Sequence, residues 1–393
     1  MLYLFLGLVT VIFSISCSQC ITKIEYRKYL TLTMFLLFFI WGFEYYNTVD
    51  YAVMLRKFNQ VVYDKINYEI SGEITYIEPG CKALFYLCSP FGNLTYYILV
   101  AFFEVVIIKV FIIKYIPQRY IWLLILLILF QFEFTTVLMT LKRQILSIFA
   151  GLLIIYFLTE KEFVWSKKKL LIVSLSLCLL ACSFHKSAIV TVLFIPIWYI
   201  TKYDFNKWVL IILVVFYFFQ YTFDLSVYSN LFFNLIEAQD EKFAHYALQI
   251  ENGGRETSLI HIIIEFITFL LMLFSLNRSN RQEKFFLLSG IFYSLFINFF
   301  VMDSGRILLP FRICQLFAIP IMVSKISFIN EKLPNLICAM FVVISIKSTY
   351  EVYTNPNKSS MTEGFKSFNV IFEAPSLQID YPLSEKGKYL PYR

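Results

Sequence analysis

Residues 120–139 read YIWLLILLILFQFEFTTVLM, a run of apolar side chains interrupted by a single charge, Glu133. As an α-helix a stretch of this length crosses the roughly 30 Å of bilayer hydrocarbon. The preceding LTYYILVAFFEVVIIKVFIIK, residues 94–114, repeats the pattern. Reading outward on the same criterion gives spans near 2–21, 29–45, 143–159, 169–184, 187–201, 208–223, 259–277, 285–301, 307–323 and 334–350. Twelve helices follow, with the tract 169–201 open to a broken or re-entrant helix. The expected fold class is an all-α polytopic membrane protein.

Composition agrees. The chain of 393 residues is 59% hydrophobic and 16% charged, with 44 Phe and 27 Tyr, and its mean hydropathy is +0.70. Soluble domains carry about 25% charged residues, so this chain lacks the polar surface that water demands. The net charge of +7 raises nucleic acid as a partner, but Lys and Arg fall in short clusters between apolar runs. That is a topology signal, and nucleic acid is excluded. The N-terminal run lacks a basic leader and a small-residue cleavage site, which predicts a first span.

Alternate connections carry the basic residues: Lys23, Arg27 and Lys28; Lys114 and Arg119; Lys161, Lys167, Lys168 and Lys169; Lys202 and Lys207; Arg278, Arg281 and Lys284; Lys325 and Lys332. The positive-inside rule makes this face cytoplasmic. The connections 46–93 and 224–258 then lie outside, as does a tail 351–393, leaving residues 1–350 as one transmembrane domain. Residues 81–88 read as an amphipathic interfacial helix. Of the eight cysteines, Cys81 and Cys88 sit in the first external loop, where a disulfide between them is open. The others lie in or beside spans and read as small core residues.

A second set of ionisable residues is left over, and its basic members oppose the topology signal: Asp50, Glu78, Lys142, Arg143, His185, Lys186, Arg255, Asp303, Arg306 and Arg312. All lie on the external side, at span ends except for Arg312, which is one to two turns into its span. Charge near hydrocarbon costs on the order of 2–3 kcal/mol, so such groups line cavities or pair with one another. Several guanidinium groups with a few carboxylates suit a phosphate-bearing anionic lipid, because the planar Arg fork matches phosphate oxygens. Glu104, Glu133 and Glu265 lie in or near spans and receive no role. Tyr96, Tyr97 and their neighbours read as an interfacial aromatic belt.

These residues sit in short strings: Asn47-Thr48-Val49-Asp50-Tyr51, Glu78-Pro79-Gly80, Lys142-Arg143-Gln144, His185-Lys186-Ser187-Ala188, and Asp303-Ser304-Gly305-Arg306 with Pro310 and Arg312. In their order along residues 40–320 the sequence resembles the EpsG-like branch of the Wzy family, the bacterial exopolysaccharide and O-antigen polymerases. The resemblance implies a lipid-sugar glycosyltransferase of GT-C-like architecture in the bacterial cytoplasmic membrane. Such an enzyme joins undecaprenyl-diphosphate-linked oligosaccharide repeat units at the outer face and releases undecaprenyl diphosphate. Its partners are the lipid-linked oligosaccharide, membrane lipid and, in the pathway, a flippase and a chain-length regulator. Asp50, Glu78 or Asp303 is then the expected base. Arg143 is the first choice for the diphosphate, followed by Arg306, Arg312, Lys186 and Arg255. His185 is read either as an assistant to the base or as a structural hydrogen-bonding group near Ser187. No metal and no other cofactor is expected, since fixed cations replace a metal and the first external loop lacks an Asp-x-Asp string. A flippase and an O-antigen ligase are the rival readings. The first needs charge along a central path, which the one-sided set does not offer.

Overall fold

The computed structural model describes residues 2–43, 54, 57–58, 61–62, 77–131, 134–135, 138, 142–161, 164–222, 259–297 and 307–354. Among these the secondary structure is helical, without a strand. The α-helices in chain order are α1 Leu2–Gln19, α2 Lys23–Gly42, α3 Pro79–Cys88, α4 Asn93–Tyr115, α5 Ile121–Phe130, α6 Lys142–Lys161 and α7 Lys167–Phe184. They continue with α8 Phe194–Ile200, α9 Lys207–Thr222, α10 Leu259–Leu276, α11 Arg281–Phe296, α12 Leu309–Lys325 and α13 Leu333–Thr354. A helix occupies each of the twelve intervals expected to span. The segments Leu2–Gln19, Asn93–Tyr115, Lys142–Glu160 and Leu333–Tyr350 are long and apolar enough to cross a membrane by themselves. Asp50, Arg255, Asp303, Arg306, the loop 224–258 and residues 355–393 lie outside the described residues.

Local chemistry explains where the boundaries depart from the apolar runs. α2 begins six residues before the expected 29, because the Thr22 side chain accepts from Glu25 N at 3.2 Å and caps the helix there. α11 likewise starts at Arg281 through a capping box. Asn280 Oδ1 accepts from Glu283 N, and Glu283 Oε2 accepts from Asn280 N, each at 2.9 Å. The expected span 120–139 is interrupted at Gln131, whose backbone is extended, and Thr135 Oγ1 donates to the Ile128 and Gln131 carbonyls across the break. The expected span 187–201 is itself broken. Residues Lys186–Leu193 form a 3₁₀ segment before α8 begins, in keeping with the broken helix anticipated in 169–201.

The chain divides into two compact units. The first comprises residues 1–149, 180–186 and 335–393. At its centre is α5, apolar all round and buried on most of its surface, with Ile121, Leu123, Leu124, Ile125, Leu127 and Ile128 fully enclosed and Trp122 and Leu126 partly exposed on one face. Tyr3 on α1 donates its hydroxyl to the Leu129 carbonyl, and Gln118 Nε2 donates to Cys17 O at 3.2 Å and Cys20 O at 2.8 Å. The second unit comprises residues 150–179 and 187–334. Gln315 and Gln220 both bond to Ser294, at its hydroxyl (3.2 Å) and carbonyl (2.8 Å) respectively. The loop 201–206 is tied to the α10–α11 turn: Asn277 brackets the Phe205 backbone with two bonds, Lys284 pairs with Asp204, and Arg281 lies over the Trp198 ring at 4.0 Å.

Polarity is arranged for lipid. Phe5, Leu8 and Ile12 on α1, Ile211, Ile212 and Val215 on α9, and Leu336, Val343 and Ile346 on α13 all point outward. Small polar groups such as Thr10, Ser14, Ser174, Ser289 and Ser294 are buried. In water this distribution would leave long apolar stripes exposed; in a bilayer it is the expected one.

One contact in the first unit sets the position of α3. A Cβ on Gly80 would stand 2.6 Å from Ser183 Oγ, 2.8 Å from Ser183 O and 2.9 Å from a Phe184 ring carbon. Only glycine permits the start of α3 to touch the end of α7 this closely. At the other end of α3, Gly92 turns the chain with φ 87°, which releases α4 in a new direction. Gly80→Ala is therefore expected to lower stability by about 1–3 kcal/mol, read as a fall in the melting temperature of the purified protein. Adding Ser183→Gly should restore only part of the loss, because the Ser183 carbonyl remains in the way.

Candidate active site

The string Glu78-Pro79-Gly80 opens α3. Pro79 occupies the first helical position, where its fixed φ is favourable, and Glu78 precedes it in extended conformation (φ −62°, ψ 142°). With Gly80 against Ser183 and Phe184, Cys81 follows on the buried side of α3 and its Sγ lies 3.5 Å from Phe184 O. α7 ends at Phe184, and His185 N still bonds back to Ala181 O at 3.1 Å. Glu78 and His185, 107 positions apart in the chain, are thus held beside the same helix ends.

The string Lys142-Arg143-Gln144 opens α6 and joins the other two. Consecutive helical residues project about 100° apart, so these three side chains fan out to three partners. Arg143 Nη1 donates to Glu78 Oε2 at 2.8 Å. Gln144 Nε2 lies 3.2 Å from His185 Nε2. Lys142 Nζ stands 3.5 Å from Glu104 Oε2 on α4 and 3.4 Å from the Leu138 carbonyl. The two ion pairs differ in environment. The Arg143 side chain is 23% exposed and Glu78 9%, whereas Lys142 and Glu104 are 1% and 0% exposed. Glu104 lies about three turns into α4, about 16 Å along its axis, on the stripe Tyr96, Val100, Glu104 that faces the interior.

Other groups surround the Glu78–Arg143 pair. Tyr96 packs its ring against Phe85 of α3 at 5.0 Å and feels the charges of Arg143 and Glu104. Its hydroxyl is buried without a hydrogen-bond partner among the described residues. Lys57 is also buried, close enough to Cys81 for its charge to act there. Burial pushes the Cys81 thiol from its ordinary 9.0 up to about 12, against the downward pull of the Arg143 charge.

Of the residues expected at the site, Glu78, Arg143 and His185 are brought together. Lys186 follows His185 at the surface, opening the 3₁₀ segment. Arg312 belongs to the second unit, in the first turn of α12, with its guanidinium 5.4 Å from the centre of the Tyr293 ring. Asp50, Asp303, Arg306 and Arg255 are not among the described residues. The Cys81–Cys88 disulfide is ruled out. Both thiols are free and lie on one helix seven residues apart, about 10 Å along its axis, beyond the reach of a disulfide. Gln144, Glu104, Lys57 and Tyr96 enter the site unannounced. A carboxylate at mid-span is the signal from which Glu104 could have been placed here, while Tyr96 is indistinguishable by sequence from a belt tyrosine.

The model of the EpsG family matches residues 27–366, most of the chain, and that range takes in all three strings that this junction unites. The chain belongs to the EpsG family. No curated protein and no solved structure gives a match. EpsG-family membership and the outward apolar faces agree on a membrane protein of the polysaccharide-polymerase type.

The Cys81 shift has a measurable consequence. Because the fold favours the neutral thiol, its contribution to stability is complete below pH 9.0 and is lost as pH rises toward about 12. At neutral pH the thiolate is scarce. With Cys81 as the sole cysteine, maleimide labelling near pH 7.5 is expected to run at least about 100-fold slower in the folded protein than after denaturation. Equal rates would show that the thiol is neither buried nor shifted.

Proposed function

We propose that this EpsG-family protein is a polysaccharide polymerase. In this reading it joins undecaprenyl-diphosphate-linked oligosaccharide repeat units at the outer face of the bacterial cytoplasmic membrane. About twelve helices span the bilayer in a GT-C-like arrangement. The observation that carries the reading is the Glu78–Arg143 contact, a carboxylate and a guanidinium set 2.8 Å apart at a junction of helix ends. Polymerisation needs these two groups: a proton acceptor for the attacking hydroxyl, and a fixed cation for the departing diphosphate.

The proposed step runs as follows. The acceptor sugar's hydroxyl gives its proton to Glu78, or to Asp50 or Asp303, and its oxygen bonds to the anomeric carbon of the growing chain. The bond from that carbon to the diphosphate oxygen breaks, and its electron pair leaves with undecaprenyl diphosphate. Arg143 neutralises the charge that grows on this leaving group, with Arg306, Arg312, Lys186 and Arg255 as the further cations of the set. His185 is steered by Gln144. The positive-inside pattern supports the outer face as the place of reaction. A flippase that delivers the repeat unit and a chain-length regulator are the proposed pathway partners.

The test is reconstitution with lipid-linked repeat units, with product ladders as the readout. Wild-type protein should yield ladders. Arg143→Ala should slow elongation by about 10²–10³-fold and Arg143→Lys by less, because ammonium keeps the charge but not the fork. Wild-type ladders from both variants would remove Arg143 from the chemistry.

A further inference from the structure

We propose that Glu78 makes Arg143 selective for diphosphates, holding the guanidinium against singly charged phosphate headgroups and yielding it to a ligand of higher charge. This rests on the reading above in which Arg143 receives the diphosphate. It adds a discriminating role for Glu78 that the bond-forming step does not require.

Three observations lead here. First, the contact is one-pointed. Arg143 has five N–H donors, and among the described residues its bond to Glu78 uses Nη1 alone. The guanidinium therefore keeps donors for a ligand even while its charge is matched. Second, Glu78 gives up an ordinary role to make this contact. It stands at the N-cap of α3, where a side-chain oxygen can accept from the free N–H groups of the first turn, yet it makes no such bond. Its carboxylate is committed to Arg143. Third, the adjacent cation is already neutralised. Lys142 and Glu104 form a buried pair of their own, so Lys142 adds little attraction for a passing anion.

The consequence is a competition whose terms are set by charge. Arg143 is 23% exposed, and at the outer face assigned to it in the reading above it would meet phosphate headgroups. A tethered carboxylate competes at an effective concentration of order millimolar or above. A phosphodiester with one negative charge can at best exchange for Glu78 one for one, leaving that carboxylate part-buried and unpaired. A diphosphate brings more charge and more acceptor oxygens, and it can also engage the unspent donors. Selectivity of this kind comes from a built-in rival for the site, not from extra contacts to the preferred ligand.

The test measures binding of two probes, farnesyl diphosphate and short-chain phosphatidylglycerol, to wild-type protein and Glu78→Gln in phosphatidylcholine nanodiscs. Wild type is expected to prefer the diphosphate by about 100-fold, and Glu78→Gln to narrow that preference by about 10-fold or more, chiefly by gaining affinity for phosphatidylglycerol. An unchanged preference in Glu78→Gln overturns the proposal. So does equal affinity of wild type for the two probes, a result that stands even if the variant fails to fold. Failure of wild type to bind farnesyl diphosphate at all overturns instead the placement of diphosphate at Arg143, and with it the polymerase reading of this site.

Discussion

The arrangement of the first unit depends on one ion pair, Glu78 with Arg143. Either charge left alone at a partly buried helix end next to lipid would be costly, and the penalty for breaking such a pair exceeds what the intact pair contributes. The contact therefore constrains more than it stabilises. It requires α3 to begin where Glu78 meets α6, and Gly80 meets that demand by letting the first turn of α3 lie against Ser183 and Phe184. His185 follows directly and is taken up by Gln144, the residue next to Arg143. Three short strings, remote in sequence, become one site through the opening turn of a single helix.

Much of this was legible in the sequence, and the reason is solvent. A bilayer requires long apolar runs, so the helices could be read from length alone, and all twelve intervals hold helix. What escaped is local. The break at Gln131 lies in a tract read as one continuous span, and the break anticipated in 169–201 was not placed at the 3₁₀ segment 186–193, since apolar length alone does not distinguish a continuous helix from a bent one. The starts of α2 and α11 lie in polar sequence that a hydropathy criterion discards, although Thr22 with Glu25 and Asn280 with Glu283 carry readable capping signals.

The site divides in the same way. Glu78, Arg143 and His185 stood out as ionisable groups at external span ends, where charge near hydrocarbon needs a cavity or a partner. Their pairing did not, since which carboxylate meets which cation depends on how helices turn about their axes. Gln144 is neutral, and Gly80 acts through the side chain it lacks. Lys142 was visible as a charge, but its partner Glu104, deep in α4, could be named only as a group in need of one. The polar ties of the second unit, from Asn277 to the Phe205 backbone and from Arg281 to Trp198, show the same economy. Near water, loops are fastened by directed bonds, while the helices between them are left apolar for the lipid.

The most direct measurement of the central claim is a double-mutant cycle on the stability of the purified protein, using Glu78→Gln, Arg143→Gln and the combination. A pair that fastens α3 to α6 should give a coupling of at least about 1 kcal/mol, the second substitution costing much less once the first is made. Losses that simply add, within about 0.3–0.5 kcal/mol, would mean that the two side chains do not meet and that the junction is not held as described.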